Sequence, residues 1–281
     1  MNIRNLTRWQ AFAGHLGFSL ALGVAVFALF RFLWYPDALF TLAGAGKLML
    51  LVVGIDVILG PSLTLFVFNP NKKSLVFDLS VIVLIQLVAL GYGVWVMAQS
   101  RPVFLVGATD RFELVTANQI APEQLVLAPN TEWQQLSWTG PILVGAVPPQ
   151  DPDERLNLTM SAMQGGADVT ELPRYFVPIS RVVAGLVAAS RPLSDFEHIA
   201  PGDVTELRAW MHARGLEESS VAVLPLKARS GTGAVLIDRK TAQPLRSVMF
   251  DGYSTLPKDD AKSKASGAEE QVPTGSHANL G

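Results

Sequence analysis

Asp56, Asp78, Gln86, His15 and Ser19 stand inside stretches of sequence that are otherwise apolar. A charged side chain at the centre of a bilayer costs about 2.5–3.5 kcal/mol on insertion scales unless it is paired or protonated. Residues of this kind hydrogen-bond a neighbouring helix, face a partner helix or serve a proton-linked site. Depth decides which of them can meet. A helix rises about 1.5 Å per residue, so Asp56 lies about 18 Å from Phe68 and Gln86 about 16 Å from Leu75. On the same scale Asp78 lies about 5 Å from Leu75, and His15 about 6 Å from Ala11, level with Thr64. Two polar layers are expected: Asp56 with Gln86 near the midplane, and His15, Thr64 and Asp78 nearer the 69–74 loop. They are either internal struts between helices or groups offered to a partner.

Enzymatic readings of the same residues fare poorly. An intramembrane aspartyl protease needs two carboxylates at one depth, and Asp56 and Asp78 differ by about 13 Å. Gly54-Ile55-Asp56 also lacks the Gly-x-Gly-Asp pattern of such proteases. The chain has no Gly-x-Ser-x-Gly elbow, Walker A loop or His-Glu-x-x-His helix. Gly231-Thr232-Gly233 begins like a dinucleotide fingerprint, but Leu236 stands where a third glycine belongs. His15, His198, His212 and His277 are scattered, so no metal cluster is expected. The absence of cysteine excludes disulfides, thiolate metal sites and cysteine nucleophiles. A net charge of -2 gives no broad field for nucleic acid. The expectation is a protein without cofactor, metal or catalytic residues.

The elements that carry these residues are three apolar stretches, about 11–34, 47–68 and 75–97, each long enough to cross a hydrocarbon core of about 30 Å. The first is longer than a signal-peptide core, and bulky Phe32-Leu33-Trp34-Tyr35-Pro36 follows in place of a cleavage site, so a retained helix is expected. Arg4, Arg8, Lys72 and Lys73 fall on one side of three alternating helices; Arg31, Asp37, Lys47 and Arg101 fall on the other. The positive-inside rule then puts the N-terminus and the Lys72-Lys73 turn in the cytoplasm. Trp34, Tyr35 and Trp95 suit an interfacial belt on the outer side. Ala13, Gly17, Ala21 and Ala25 recur every four residues, and Ala89 and Gly93 repeat the spacing. Small residues at this interval let another backbone approach closely, either inside the bundle or from a foreign helix. Gly60-Pro61 is expected to kink or loosen the second span.

After Arg101-Pro102 the chain reads as a small α+β domain. Strands are expected at 103–106, 112–116 and 141–147, the first two as a hairpin. A short helix should start near Ala121-Pro122. Further helices are expected at 151–164, capped by Asp151, and at 203–214, capped by Asp203 with Glu206 at capping-box spacing and Gly215 as stop. Strands at 221–226, 234–238 and 245–250 read as a small antiparallel meander. Residues 258–281 lose apolar content and are expected to be a disordered tail. The fold expected is a three-helix transmembrane bundle (1–99), a small α+β extracytoplasmic domain (101–257) and that tail.

The arrangement resembles the TfpX/TfpZ-type type IV pilin accessory proteins of Gram-negative bacteria. The resemblance is carried by Arg8-Trp9-Gln10-Ala11-Phe12 with His15, and by Phe32-Leu33-Trp34-Tyr35-Pro36. Gly54-Ile55-Asp56-Val57-Ile58-Leu59-Gly60-Pro61, Leu63-Thr64 and the run from Asn69 to Ser80 continue it. Gln86, Tyr92-Gly93-Val94, Arg101-Pro102 and Asp110-Arg111-Phe112 complete it, so it covers about 8–116. Beyond that only Leu172-Pro173-Arg174-Tyr175 is alike. The resemblance implies a multi-pass inner-membrane factor with a periplasmic domain. It would act on its cognate major type IV pilin, with other pilus assembly components nearby, as a pilin-specific chaperone or modulator of assembly and not as an enzyme. A pilin has one membrane helix and a globular head, with a glutamate near its mature N-terminus. On this reading the partner-binding residues are Ala13, His15, Gly17, Ala21 and Ala25, with His15 near that glutamate. A membrane-anchored sensor or regulatory subunit is the competing reading, and a transporter subunit using Asp56 a third.

Overall fold

The computed structural model describes residues 6–35 and 38–254. Arg4, Asp37, the tail from Lys258 and His277 within it lie outside the described residues. Three helices are long and apolar enough to cross a membrane. Helix α1 (Arg8–Leu29) starts at a capping box made by Thr7 and Gln10, and a π-helical turn (Phe30–Trp34) extends it. A single-turn helix α2 (Leu39–Leu42) leads to α3 (Ala45–Val67), and α4 (Leu75–Gln99) follows the Lys72-Lys73 turn. Pro61 does not break α3, which runs through it uninterrupted.

The remainder forms one mixed seven-stranded sheet flanked by helices. Its strands are β1 (Pro102–Gly107), β2 (Phe112–Thr116), β3 (Ile142–Ala146), β4 (Phe176–Val177), β5 (Val221–Ala228), β6 (Gly231–Asp238) and β7 (Pro244–Val248). The order across the sheet is β4-β3-β1-β2-β5-β6-β7. The β1–β2 hairpin is antiparallel as expected. The expected antiparallel meander forms as β5-β6-β7, and it joins the same sheet because β5 adds in parallel to the free edge of β2, Phe112 facing Leu226 and Glu113 facing Lys227. Parallel pairing joins segments far apart in the chain and leaves no local signal. Short helices α5 (Pro122–Leu125) and α7 (Val183–Ala189) and the longer α6 (Pro152–Met163) and α8 (Pro201–His212) complete the domain. Asp151 caps α6 as read from the sequence. Asp203 does not cap α8: Pro201, whose fixed φ suits a first turn, starts the helix earlier, and Asp203 sits inside that turn. Gly215 follows the helix with φ +66°, a left-handed stop.

Both sheet faces are covered, which explains the nearly continuous apolar run of β5. Ala222 and Leu224 join Leu105, Leu114, Val235 and Leu186 of α7 on one face. Val221 and Val223 join Leu236 and the Val204, Leu207 and Met211 side of α8 on the other. The first face also receives Leu39 and Leu42 of α2, so the chain enters the sheet core between two membrane helices. Leu42 is so close that a Cβ on Gly233 would stand 2.8 Å from its Cδ2.

The joint between helices and sheet is closed by Arg101, 3% exposed. Its guanidinium donates to the carbonyls of Ala98 (2.6 Å), Ser137 (2.8 Å) and Leu136 (3.4 Å), and lies 3.8 Å over the Trp138 ring. Burial lowers its pKa from the usual arginine value, yet arginine starts so high that it keeps its charge. Leu42→Ala is expected to lower the sheet domain's stability by about 2–5 kcal/mol. Urea pulse proteolysis of the detergent-solubilised chain measures it; an unshifted midpoint would show that α2 merely rests on the sheet.

Candidate functional site

Glycines set how closely the three spans approach. A Cβ on Gly23 of α1 would lie 2.7 Å from Val53 of α3, and one on Gly93 of α4 would lie 2.6 Å from Val52. Both outer helices therefore pack on α3. At the sheet end they also meet around Phe30, Trp34, Tyr35 and Met97, where the Tyr35 hydroxyl donates to the Met97 carbonyl at 3.3 Å. Toward the Lys72-Lys73 turn a cleft separates α1 from α4, with α3 as its floor.

The cleft holds two cavities. One, of about 240 Å³, is lined by His15, Ser19, Asp56 and Gln86 among apolar neighbours such as Phe18 and Leu87. The other, of about 330 Å³, lies closer to the turn beside His15, Gly14, Thr64 and Phe68. Gln86 donates its amide to the backbone carbonyl of Asp56 at 3.1 Å. Gly60 makes this possible, since a Cβ there would stand 1.9 Å from the Gln86 amide nitrogen. Asp56 is 6% exposed, and its Oδ1 has no hydrogen-bond partner among the described residues; neither has Gln86 Oε1. The midplane pair thus meets through a backbone carbonyl and leaves two enclosed acceptors free.

The second polar layer forms only in part. His15 Nδ1 and Thr64 Oγ1 are 2.6 Å apart. Asp78 does not join them: it binds Lys72 Nζ at 2.6 Å and accepts from Ser74 at 3.3 Å, clasping the turn to the start of α4. A charge-assisted bond to a nearby lysine outweighs a neutral one deeper in the bundle.

Ala13, Gly17, Ala21 and Ala25 are exposed, and a Cβ on Gly17 would meet nothing within 4 Å. Their seam plays no part in packing the three helices. His15 is not on it, because two residues along a helix turn about 200° and carry His15 from Ala13's side to the α3 side. Gly60 was legible as half of Gly60-Pro61, and its part as a notch for Gln86 was not. Arg101 and Glu113 gave no sequence signal of burial. Glu113 binds Arg111 at 2.6 Å and Lys227 at 3.3 Å and accepts from Thr170 at 2.9 Å. A carboxylate so fully occupied ties β2 to its neighbours and has no lone pair aimed at a substrate.

A cavity of about 710 Å³ lies at the joint beside Thr41, Lys47, Ser100, Asn118 and Arg229. Among the described residues no histidine or carboxylate lines it to activate its hydroxyls. Among the described residues no cluster of metal-ligating side chains is present.

No family model matches the chain, and no solved structure does. Sequence relatives do. A fimbrial assembly protein of Dichelobacter nodosus, serogroup I, is 29% identical over 229 residues, covering 80% of this chain and 88% of the relative. Its serogroup E1 counterpart matches to the same extent. The fimbrial assembly protein of serogroups C1 and C2 is 35% identical over 113 residues, 40% of this chain and 86% of that relative. The chain belongs to the fimbrial assembly proteins.

Two measurements check the site geometry of this fimbrial assembly family member. Gly60→Ala is expected to destabilise the helices by about 1–3 kcal/mol through overpacking, and much less when Gln86→Ala removes the neighbour; equal losses in both backgrounds would separate Gly60 from Gln86. A double-mutant cycle of His15→Ala and Thr64→Val in SDS titration is expected to give a coupling of about 0.6 kcal/mol. A coupling of zero would mean that the two groups do not bond in the membrane.

Proposed function

We propose that this chain is an inner-membrane accessory factor of type IV pilus assembly that holds its cognate major pilin as a chaperone or assembly modulator. It acts by binding and not by catalysis. Kinship with fimbrial assembly proteins supports the process. The observation that carries the reading further is the joint: α2 sits in the sheet core and Arg101 locks the end of α4 against the sheet domain. A client with a membrane helix and a globular head would meet one connected unit, with spans for the helix and a sheet domain for the head. The distribution of Arg8, Lys72 and Lys73 against the opposite helix ends supports a cytoplasmic N-terminus and a periplasmic sheet domain. Two faces of the spans are open to a client helix: the Ala13–Ala25 seam and the α1–α4 cleft.

Deleting the gene is expected to remove or strongly reduce surface pili while pilin synthesis continues, and tagged chain in mild detergent is expected to recover the pilin. Normal piliation together with no recovered pilin would end the proposal.

A further inference from the structure

The cleft between α1 and α4 is short of hydrogen-bond donors at the depth where lipid offers none. Asp56 Oδ1 and Gln86 Oε1 are enclosed and unpartnered among the described residues. Of the nearby donors the Gln86 amide bonds the Asp56 carbonyl and His15 bonds Thr64, while the Ser19 hydroxyl lines the same cavity without bonding either acceptor. An acyl chain filling the cleft would leave both acceptors unsatisfied, and such groups are costly away from water. Along α1 the cleft is lined from Gln10 to Leu22, about 18 Å at helical rise, or more than half of a hydrocarbon core of about 30 Å. Its sheet end is shut by Phe30, Trp34, Tyr35 and Met97. These dimensions suit a helix lying alongside the spans and entering sideways from the bilayer, not a small solute.

We infer that this cleft is the slot for one foreign transmembrane helix, that of the pilin client, which brings a hydrogen-bond donor to Asp56 and Gln86. The inference rests on the pilin reading above and adds where and by what chemistry the helix is held. A second copy of the chain is a poor occupant. The exposed faces of its spans present Phe18, Leu20, Val24, Leu51, Ile55, Ile58 and similar apolar residues at that depth. Its exposed donors Ser80 and Tyr92 each lie about 9 Å along α4 from Gln86, and Ser80 already donates to the Val76 carbonyl. The small-residue seam also lies on the far side of α1 from Ser19, which is buried toward α3. It carries no polar group that could select a partner.

The test uses the full chain co-expressed with its pilin in native membranes. A photo-crosslinking residue is placed at Phe18 or Leu87 in the cleft, and at Ala13 or Gly17 on the part of the seam that faces away from it. Pilin adducts are expected from the cleft positions and not from the seam positions, because only the cleft positions would lie against the bound helix. Pilin adducts from the seam alone, or adducts between two copies from the cleft, overturn the slot and leave the pilin reading standing. Pilin missing from all four positions and from the co-purified complex overturns both. Asp56→Leu separates binding from structure. It removes an unpartnered carboxylate but keeps the carbonyl that Gln86 uses. Thermal stability of the chain is expected to hold or rise while pilin recovery falls about tenfold, with Asp56→Asn, which retains an acceptor, close to wild type. A stability loss in Asp56→Leu that matches the fall in recovery makes Asp56 a strut and overturns the inference.

Discussion

The packing of α4 on α3 turns on one contact, the Gln86 amide lodged against α3 where Gly60 has no side chain. Lipid tails are as apolar as leucine, so burial alone does not hold helices together in a bilayer; close packing and hydrogen bonds do. Helix α3 supplies both. It receives α4 at Gly60 and at the Gly93–Val52 approach, and α1 at the Gly23–Val53 approach and the His15–Thr64 bond. Because α3 satisfies each neighbour separately, α1 and α4 need not touch along their whole length. The cleft between them follows from that division of contacts, and so does the position of Asp56 on its wall.

The second constraint is continuity from lipid to water. Helix α4 passes into β1 within a few residues, and Arg101 fills the corner. Backbone carbonyls at a helix C-terminus are partly negative and otherwise orphaned, so a cation donating to Ala98 satisfies them without a carboxylate partner. Trp138 covers the guanidinium and lies 5.9 Å from Trp34, joining a sheet-domain loop to the end of α1. With α2 buried in the sheet core, three separate crossings fix the sheet domain to the spans. A loose tether would let the sheet domain turn independently of the long helices; this joint holds both in one frame.

Local pattern made much of the molecule legible. The three spans, the Asp151 cap, the β1–β2 hairpin and most strand segments follow from apolar run length, capping residues and proline positions, which act within a few residues of chain. The depth argument matched Gln86 to Asp56 and His15 to Thr64, because helical rise is constant and lipid penalises unpaired polar groups at any depth. The same argument put Asp78 with His15, and a lysine within reach in the turn drew it away.

What the sequence by itself determined is the division of the chain into membrane and sheet parts and the depth of each polar residue, since both depend on length and hydropathy along one dimension. Only the tertiary structure decided the rest. It separated His15 from the Ala13–Ala25 seam, turned Gly60 into a notch, joined β2 to β5 across the chain and left Asp56 with a free acceptor beside a cleft. Those outcomes depend on which faces of the helices and which edges of the strands meet. Helix rotation and non-local strand pairing are set by packing between distant segments, which no local periodicity records.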